Sequence, residues 1–330
     1  MGSSVRGRFA PTPSGYMHIG NALSAILAWL QVRCLHGEFI LRIEDLDVER
    51  FDPRYVDALM EDLKWLGVDW DEGPDVPGPY GPYRQQDRAH LYEQAFAALK
   101  AKDLLYPCFC SRKDLRTPAS APHGLTSEGP VYSGSCRYLS NQERARRAVQ
   151  KPPAWRFMLP HEGMTFHDLV QGPKPFPPGA GGDFIVYRAD GVFSYQLAVV
   201  VDDAKMRITH VLRGDDLLDS TPRQLYLYRA LGLTPPSFAH IPMVCSASGA
   251  RLAKRDNSIT VRSLREQGVS PERVVGYLAW LAGLIVRPEA VRLCELIPDF
   301  DLSRVVHQPI LLQKDWLETL LKGKRDVSAL

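Results

Sequence analysis

The chain has 330 residues, 45% of them apolar and 24% charged, and a formal net charge of +2. That length can bury a sizeable core in two or three domains, and the composition excludes disordered, collagenous and disulfide-stapled classes. The charge is too mild to argue for nucleic acid by itself, no apolar run is long enough for a bilayer, and the N-terminal stretch MGSSVRGR lacks the apolar segment of a secretory leader, so the expected location is the cytoplasm.

The segment Gly7 to Asn21, GRFAPTPSGYMHIGN, runs into Ala22–Val32, which is apolar nearly all round and reads as a buried helix. A helix start offers unpaired N–H groups and partial positive charge, which suits phosphate. Gly20 has no Cβ to keep a ligand off the backbone, and His18 can donate a hydrogen bond to a phosphoryl oxygen. A loop with a capping histidine is the plainer reading of the same residues. Glu38–Ile43 is strand-like and ends in the acidic turn Glu44-Asp45-Leu46-Asp47. Asp52-Pro53 opens the next helix, as N-cap and first helical residue, and Gly67 ends it. Another helix is expected over Asp87–Lys102. This alternation predicts a doubly wound α/β sheet.

The pattern changes near Tyr106. From there to about Gly182 come clustered cysteines, a Pro/Ser/Gly-rich loop, a basic helix (Asn141–Gln150) and the loop GPKPFPPGAGGD, which together read as an insertion. Strand-like runs resume with DFIVYR, GVFSYQLAVVVDD and MRITHVLRGDD. Asp202, Asp203, Asp215 and Asp216 fall at the expected strand ends, where they could meet a ligand or cap turns. Thr221-Pro222 opens a helix that ends near Gly232. SASGARLAKRDNS after Ile241 is a polar loop, and Ser270-Pro271 opens a helix with Val274, Val275, Leu278 and Leu281 on one side.

Six cysteines in so long a chain are not a disulfide framework. Cys108, Cys110 and Cys136, with an oxygen from Tyr132 or a nitrogen from His123, could close a tetrahedral metal site, or could be reduced thiols in a small core. Cys34, Cys245 and Cys294 read as small buried hydrophobes. Arg137, Arg144, Arg146, Arg147 and Lys151 form a basic stripe that could meet RNA phosphates or simply face solvent.

Four motifs occur in order: the opening segment, RIEDLD (Arg42–Asp47), RGDDLLDSTPRQ (Arg213–Gln224) and RLAKR (Arg251–Arg255). Together they resemble the class I glutamyl-tRNA synthetases over Arg8 to about Ser258. The resemblance implies a Rossmann-type catalytic domain with a zinc-bearing insertion and a C-terminal helical subdomain. Its divisions would be a first catalytic half at 1–105, the insertion at 106–182, a second catalytic half at 183–250, and a mobile catalytic loop with helices at 251–330. The chain stops soon after RLAKR, which leaves no room for the family's anticodon-binding domain. Together with YPCFCS and VYSGSCR, this is similar to the truncated members that activate glutamate without tRNA and transfer it to queuosine in tRNA(Asp).

The resemblance also implies roles. His18 and Gly20 match the His-Ile-Gly-His nucleotide motif, with Asn21 in place of the second histidine. Arg251 and Lys254 match the two lysines of the mobile loop, and Ala253 replaces its serine. His18 and Lys254 would be catalytic and would bind ATP together with Gly20, Asn21 and Arg251. Arg8, Phe9, Ala10, Pro11, Thr12, Glu44, Tyr195 and Arg213 would hold glutamate, with guanidiniums on carboxylates and Glu44 on the ammonium. The family match favours Tyr132 over His123 as the fourth zinc ligand. ATP with Mg²⁺, L-glutamate and queuosine-bearing tRNA(Asp) would be the partners of a monomeric enzyme. The alternatives are a minimal synthetase charging the tRNA 3′ end and a non-catalytic RNA-binding relative.

Overall fold

The computed structural model describes residues 4–47, 51–111, 132–249, 260–313 and 315–321. The chain begins with β1 (Arg6–Phe9), α1 (Ile19–Arg33) and β2 (Glu38–Leu41). Helix α2 (Pro53–Trp65) starts where Asp52 caps the Arg54 N–H, and Gly67 leaves it at φ +85°. Helix α3 (Ala89–Ala101) follows a single tight turn, then β3 (Leu105–Cys108), α4 (Asn141–Gln150) and β4 (Ala154–Phe157). Next come β5 (Met164–Asp168), β6 (Gly172–Phe176), β7 (Phe184–Tyr187), α5 (Tyr195–Lys205) and β8 (His210–Gly214). The chain continues with α6 (Thr221–Leu231), β9 (Ser237–Ile241), β10 (Val244–Cys245), α7 (Val261–Glu266), α8 (Pro271–Leu281), β11 (Ile310–Leu311) and α9 (Trp316–Leu321).

The main sheet has the order β2-β1-β8-β9-β5-β6, parallel except for the edge strand β6. Strands β1, β2, β8 and β9 are buried on both faces, whereas β5 and β6 expose one. Phe39, Leu41, Leu212 and Ile241 enter a core with α1, α2 and α8, whereas Ile40, Val211 and Phe238 enter a second core with α3, α5 and α6. That alternation is the side-chain period of a strand read in two directions, as expected of a doubly wound sheet. It also explains why α1 is apolar all round: it lies between the sheet and α8.

Three expectations need correction. The run YQLAVVVDD is helix α5, not a strand, because Ser194 caps the Leu197 N–H and the whole run is buried between α3, α6 and the sheet. Burial on all sides overrides the strand preference of three consecutive valines. The stretch 106–182 is not wholly separate from the catalytic sheet, since the β5–β6 hairpin pairs onto β9, while β7 leaves that sheet to join β3 and β4 in an antiparallel one. Cys294 is exposed, unlike the buried Cys245 and partly buried Cys34. No helix among the described residues is long and apolar enough to cross a membrane.

The two sheet halves meet through a buried charge network. Arg42, fully buried, donates to Asp203 at 2.6 Å and Glu44 at 3.1 Å, and lies 3.8 Å from Asp202. Asp202 also accepts from Arg88 at 2.6 Å, Gln85 at 2.8 Å and Tyr92 at 2.9 Å. Both aspartates sit on α5 rather than at strand ends. Removing one partner of such a network strands the others in a low-dielectric interior. Asp202→Ala should therefore lower unfolding stability by roughly 3–5 kcal/mol in urea titrations, and Asp202→Asn by less; a loss under about 1 kcal/mol would show that the network carries no such weight.

Candidate active site

The site lies at the carboxyl ends of β1 and β8, adjacent parallel strands whose connections leave in opposite directions. Such switch points open a crevice at the edge of an α/β sheet. Here a cavity of about 350 Å³ is lined by Arg8 to Thr12, His18, Gly20, Asn21, Tyr195, Arg213 and Gly214.

At one end of this cavity, His18 is the N-cap of α1. Its Nδ1 accepts from the Gly20 N–H at 3.1 Å and the Asn21 N–H at 3.3 Å. The capping role and the functional role are thus compatible, because acceptance at Nδ1 places the ring proton on Nε2, which can donate. A Cβ on Gly20 would stand 3.1 Å from the imidazole, tight enough to displace it. Asn21 lines the same cavity. Arg251, Ala253 and Lys254 lie outside the described residues, as does His123. The described neighbours of the former, Val244 and Thr260, reach this end: Val244 lines the cavity and Thr260 bridges to His18.

The residues expected to hold glutamate are brought together, but across two connected spaces. Thr12 and Tyr195 line both the first cavity and a second of about 550 Å³, and Glu44 lines only the second. Glu44 reaches there because the chain after β2 runs beside the chain after β1, with the Arg42 N–H on the Phe9 carbonyl and the Glu44 N–H on the Pro11 carbonyl. Phe9 is 7% exposed with its ring in the core, so it offers backbone rather than side chain. Arg8 binds Asp203 at 3.3 Å, and Arg213 donates to the Tyr195 hydroxyl at 3.3 Å. Burial opposes ionisation of Asp203, yet Arg8 and Arg42 outweigh it and hold the carboxyl below its usual range. Burial pushes Glu44 up, against the pull of Arg42 and Arg8, and depresses the Arg213 guanidinium. A carboxylate ligand would relieve that last cost.

Arg213 is aimed by residues the sequence did not single out. Its Nε donates to His240 Nε2 at 2.9 Å, and its NH2 to Thr221 at 2.9 Å and Gln224 at 2.8 Å. His240 Nδ1 in turn donates to Asp168 at 2.5 Å, which fixes the tautomer. Burial pushes the His240 imidazole down to about 4 despite Asp168, so it is neutral and can accept. Thr221 and Gln224 stand within the RGDDLLDSTPRQ motif, three apart on the first turn of α6, and that spacing was a usable signal. Asp168 and His240 gave none, being far apart in sequence and joined only by the β5–β9 pairing.

In the insertion, the Cys108, Cys110 and Cys136 sulfurs lie within 4.8 Å of one another and form a group that could hold a metal ion. Cys110 Sγ is 3.6 Å from Cys136 Sγ, and Tyr132 Oη is 3.5 Å from Cys108 Sγ and 3.7 Å from Cys110 Sγ. Tetrahedral edges around zinc are about 3.8 Å between sulfurs and about 3.5 Å between sulfur and oxygen, so the donor set fits. Burial holds the Tyr132 phenol above its usual range; a cation would have to replace its proton. Arg156 stacks over the Tyr132 ring at 3.8 Å and donates to Cys108 Sγ at 3.3 Å, a fixed positive charge beside the sulfurs. The neighbouring basic stripe is partly neutralised, because Glu143 pairs with Arg146 and Arg147 and Asp183 with Arg137.

Two outcomes follow. Cys110→Ser should purify without the bound metal of the wild type and show faster proteolysis of the insertion; a wild-type chain that is metal-free and equally resistant would remove the metal. For His240, the lowered folded-state pKa means that the unfolded chain binds the proton first, so stability falls as pH drops from about 6.5 to about 4, by up to about 3 kcal/mol. Urea unfolding of His240→Gln should show a shallower pH dependence across that window; an unchanged slope would contradict the neutral, accepting imidazole.

Comparison with known proteins accords with this geometry. A family model, tRNA synthetases class I (E and Q), catalytic domain, matches residues 4–319. The glutamyl-Q tRNA(Asp) synthetase of Symbiobacterium thermophilum is 58% identical over 318 residues, covering 96% of this chain and 98% of that protein. The protein of that name from Nitratidesulfovibrio vulgaris is 45% identical over 323 residues, covering 97% and 99%. Among solved structures, a glutamate tRNA ligase from Elizabethkingia meningosepticum in complex with its amino acid superposes with a TM-score of 0.83 at 28% identity, covering 98% of this chain and 70% of that one. The chain belongs to the class I tRNA synthetases of the E and Q type, whose catalytic-domain model matches nearly all of it.

Proposed function

We propose that the chain activates glutamate with ATP, without tRNA, and transfers the glutamyl group to queuosine in tRNA(Asp), acting as a monomer in the cytoplasm. The observation that carries the reading is the convergence of Arg8, Arg213, Glu44 and Tyr195 beside the capped start of α1, in a chain 58% identical to a glutamyl-Q tRNA(Asp) synthetase.

In this reading the triphosphate lies at the N-terminus of α1. Backbone N–H groups, the helix dipole and the His18 Nε2 proton there stabilise charge as it builds on the α-phosphate. Arg251 and Lys254 would add cations, and Mg²⁺, when bound with ATP, would supply countercharge to the phosphates. Asn21 can donate to phosphate but carries no proton to give. Glutamate presents two carboxylates to Arg8 and Arg213 and its ammonium to Glu44, with Thr12 and the Tyr195 hydroxyl between them. A carboxylate oxygen attacks the α-phosphorus, a P–O bond forms, and pyrophosphate leaves. Positioning and charge do most of this work, because little covalent help is needed. Cys108, Cys110, Cys136 and Tyr132 would hold zinc. Zinc there would cross-link Cys108 and Cys110 at the start of the insertion to Tyr132 and Cys136 further along it, and would take no part in the reaction.

Labelled glutamate with ATP and queuosine-bearing tRNA(Asp) tests the reading. Label should appear in the anticodon loop, and pyrophosphate exchange should need glutamate but no tRNA. Label at the terminal adenosine would favour 3′-end charging, and complete inactivity a non-catalytic relative. Arg8→Ala should raise KM for glutamate by roughly tenfold or more with little change in KM for ATP; equal weakening of both would remove Arg8 from the glutamate site.

A further inference from the structure

We propose that the 550 Å³ cavity on the insertion side of the glutamate residues seats the acceptor nucleoside, with the Asp47 carboxylate on its rim receiving the cationic amine of queuosine. This rests on the function proposed above and assigns that function's second half-reaction to a place.

The first argument is access. Thr12 and Tyr195 are shared between this cavity and the smaller one that holds His18, Gly20 and Asn21. In a glutamyl-adenylate the AMP half still fills the nucleotide end. An attacking hydroxyl must therefore arrive from the other mouth, which is this cavity. Its size lies in the usual range for small-ligand sites. The transfer balances without a further reactant: a hydroxyl oxygen of the cyclopentene diol attacks the acyl carbon, and the ester C–O bond forms. The acyl–phosphate C–O bond breaks, AMP leaves with the electron pair, and the hydroxyl proton passes to its phosphate.

The second argument is the chemistry of the lining. Phe193, only partly buried, offers a ring to a flat base, while Phe184 is packed in the core. Queuosine carries a secondary amine that is protonated at neutral pH, and Asp47 and Glu44 are the carboxylates on the side toward β2. Asp47 stands 3.6 Å from Arg188 in a pair that is about one-third exposed, so rearranging it costs little. Arg188, which also pairs with Asp190, would keep that partner and present its remaining donors to a backbone phosphate. Past Val192 and Phe193 the cavity leads into a groove with Phe96, Trp155 and Tyr187, where Lys100 Nζ lies 4.5 Å over the Trp155 ring. Aromatic faces with an adjacent cation suit the neighbouring nucleotide. The far wall is Tyr132 and Arg156, the residues that also bound the cysteine cluster, so the cysteine-bearing part of the insertion shapes the acceptor space.

Ile185→Trp, which fills the cavity from β7, Asp47→Asn and Arg188→Ala test this with purified enzyme and queuosine-bearing tRNA(Asp). Glutamate-dependent pyrophosphate exchange should stay within about twofold of wild type in all three. Single-turnover transfer from preformed adenylate should fall at least roughly tenfold in Ile185→Trp, and KM for tRNA should rise in the other two. Should the tryptophan variant fail to fold, the two rim variants still decide. Transfer at the wild-type rate in the filled variant, an unchanged KM for tRNA in the rim variants, or exchange lost in parallel with transfer would overturn the assignment. A wild type that glutamylates the terminal adenosine and is still blocked by Ile185→Trp would retain the cavity as the acceptor site and overturn only the queuosine reading.

Discussion

The structure is organised around a buried chain of opposite charges running from Arg8 through Asp203 and Arg42 to Asp202 and Arg88. It ties the end of β1, the segment after β2 and the start of α3 to a single helix, α5. Ions so far from water are tolerated only when each has its partners, so the elements that carry them are held in one arrangement. The glutamate residues hang from this frame. Arg8 is one of its members, Glu44 bonds to Arg42, and Tyr195 opens the helix that carries both aspartates. A site proposed to grip an amino acid with two carboxylates and an ammonium gains from that rigidity, because misplacement by an ångström forfeits much of the gain from orientation.

A second support comes from the other side of the sheet. Asp168 belongs to a hairpin that arrives within the insertion, yet it pairs onto β9 and orients His240, and through it Arg213. The insertion therefore has two unlike parts. The hairpin completes the main sheet and aims Arg213, one of the residues proposed to hold glutamate. The β3-β4-β7 sheet and the cysteine cluster border the larger cavity instead. Activation and transfer could then be tuned separately by changes in different stretches of the same insertion.

Much of the site was readable from local sequence. The helix starts at Asp52-Pro53, Ser270-Pro271 and Thr221-Pro222 follow from a proline whose fixed φ suits the first turn, with a side-chain cap added only by Asp52 among the three. His18, Gly20, Arg8, Glu44 and Arg213 were legible because they stand inside ordered motifs, and Cys108, Cys110 and Cys136 because few residue types bind metals as thiolates do. The valine-rich α5 misled because its strand-like composition reports burial on all sides, and a buried helix and a buried strand then look alike.

By itself the sequence determined the alternation of elements, the capped start of α1 and the identity of the charged and thiol groups available to the site, since these depend on neighbours along the chain. Only the tertiary structure decided that Asp202 and Asp203 face inward as counter-charges, that Asp168 reaches His240 and Arg213, and that Tyr132 and Arg156 wall the cavity beside Glu44. Those relations join residues tens to hundreds of positions apart. They exist because strands pair and helices pack across the sheet, and no local pattern encodes which distant partner a buried charge will find.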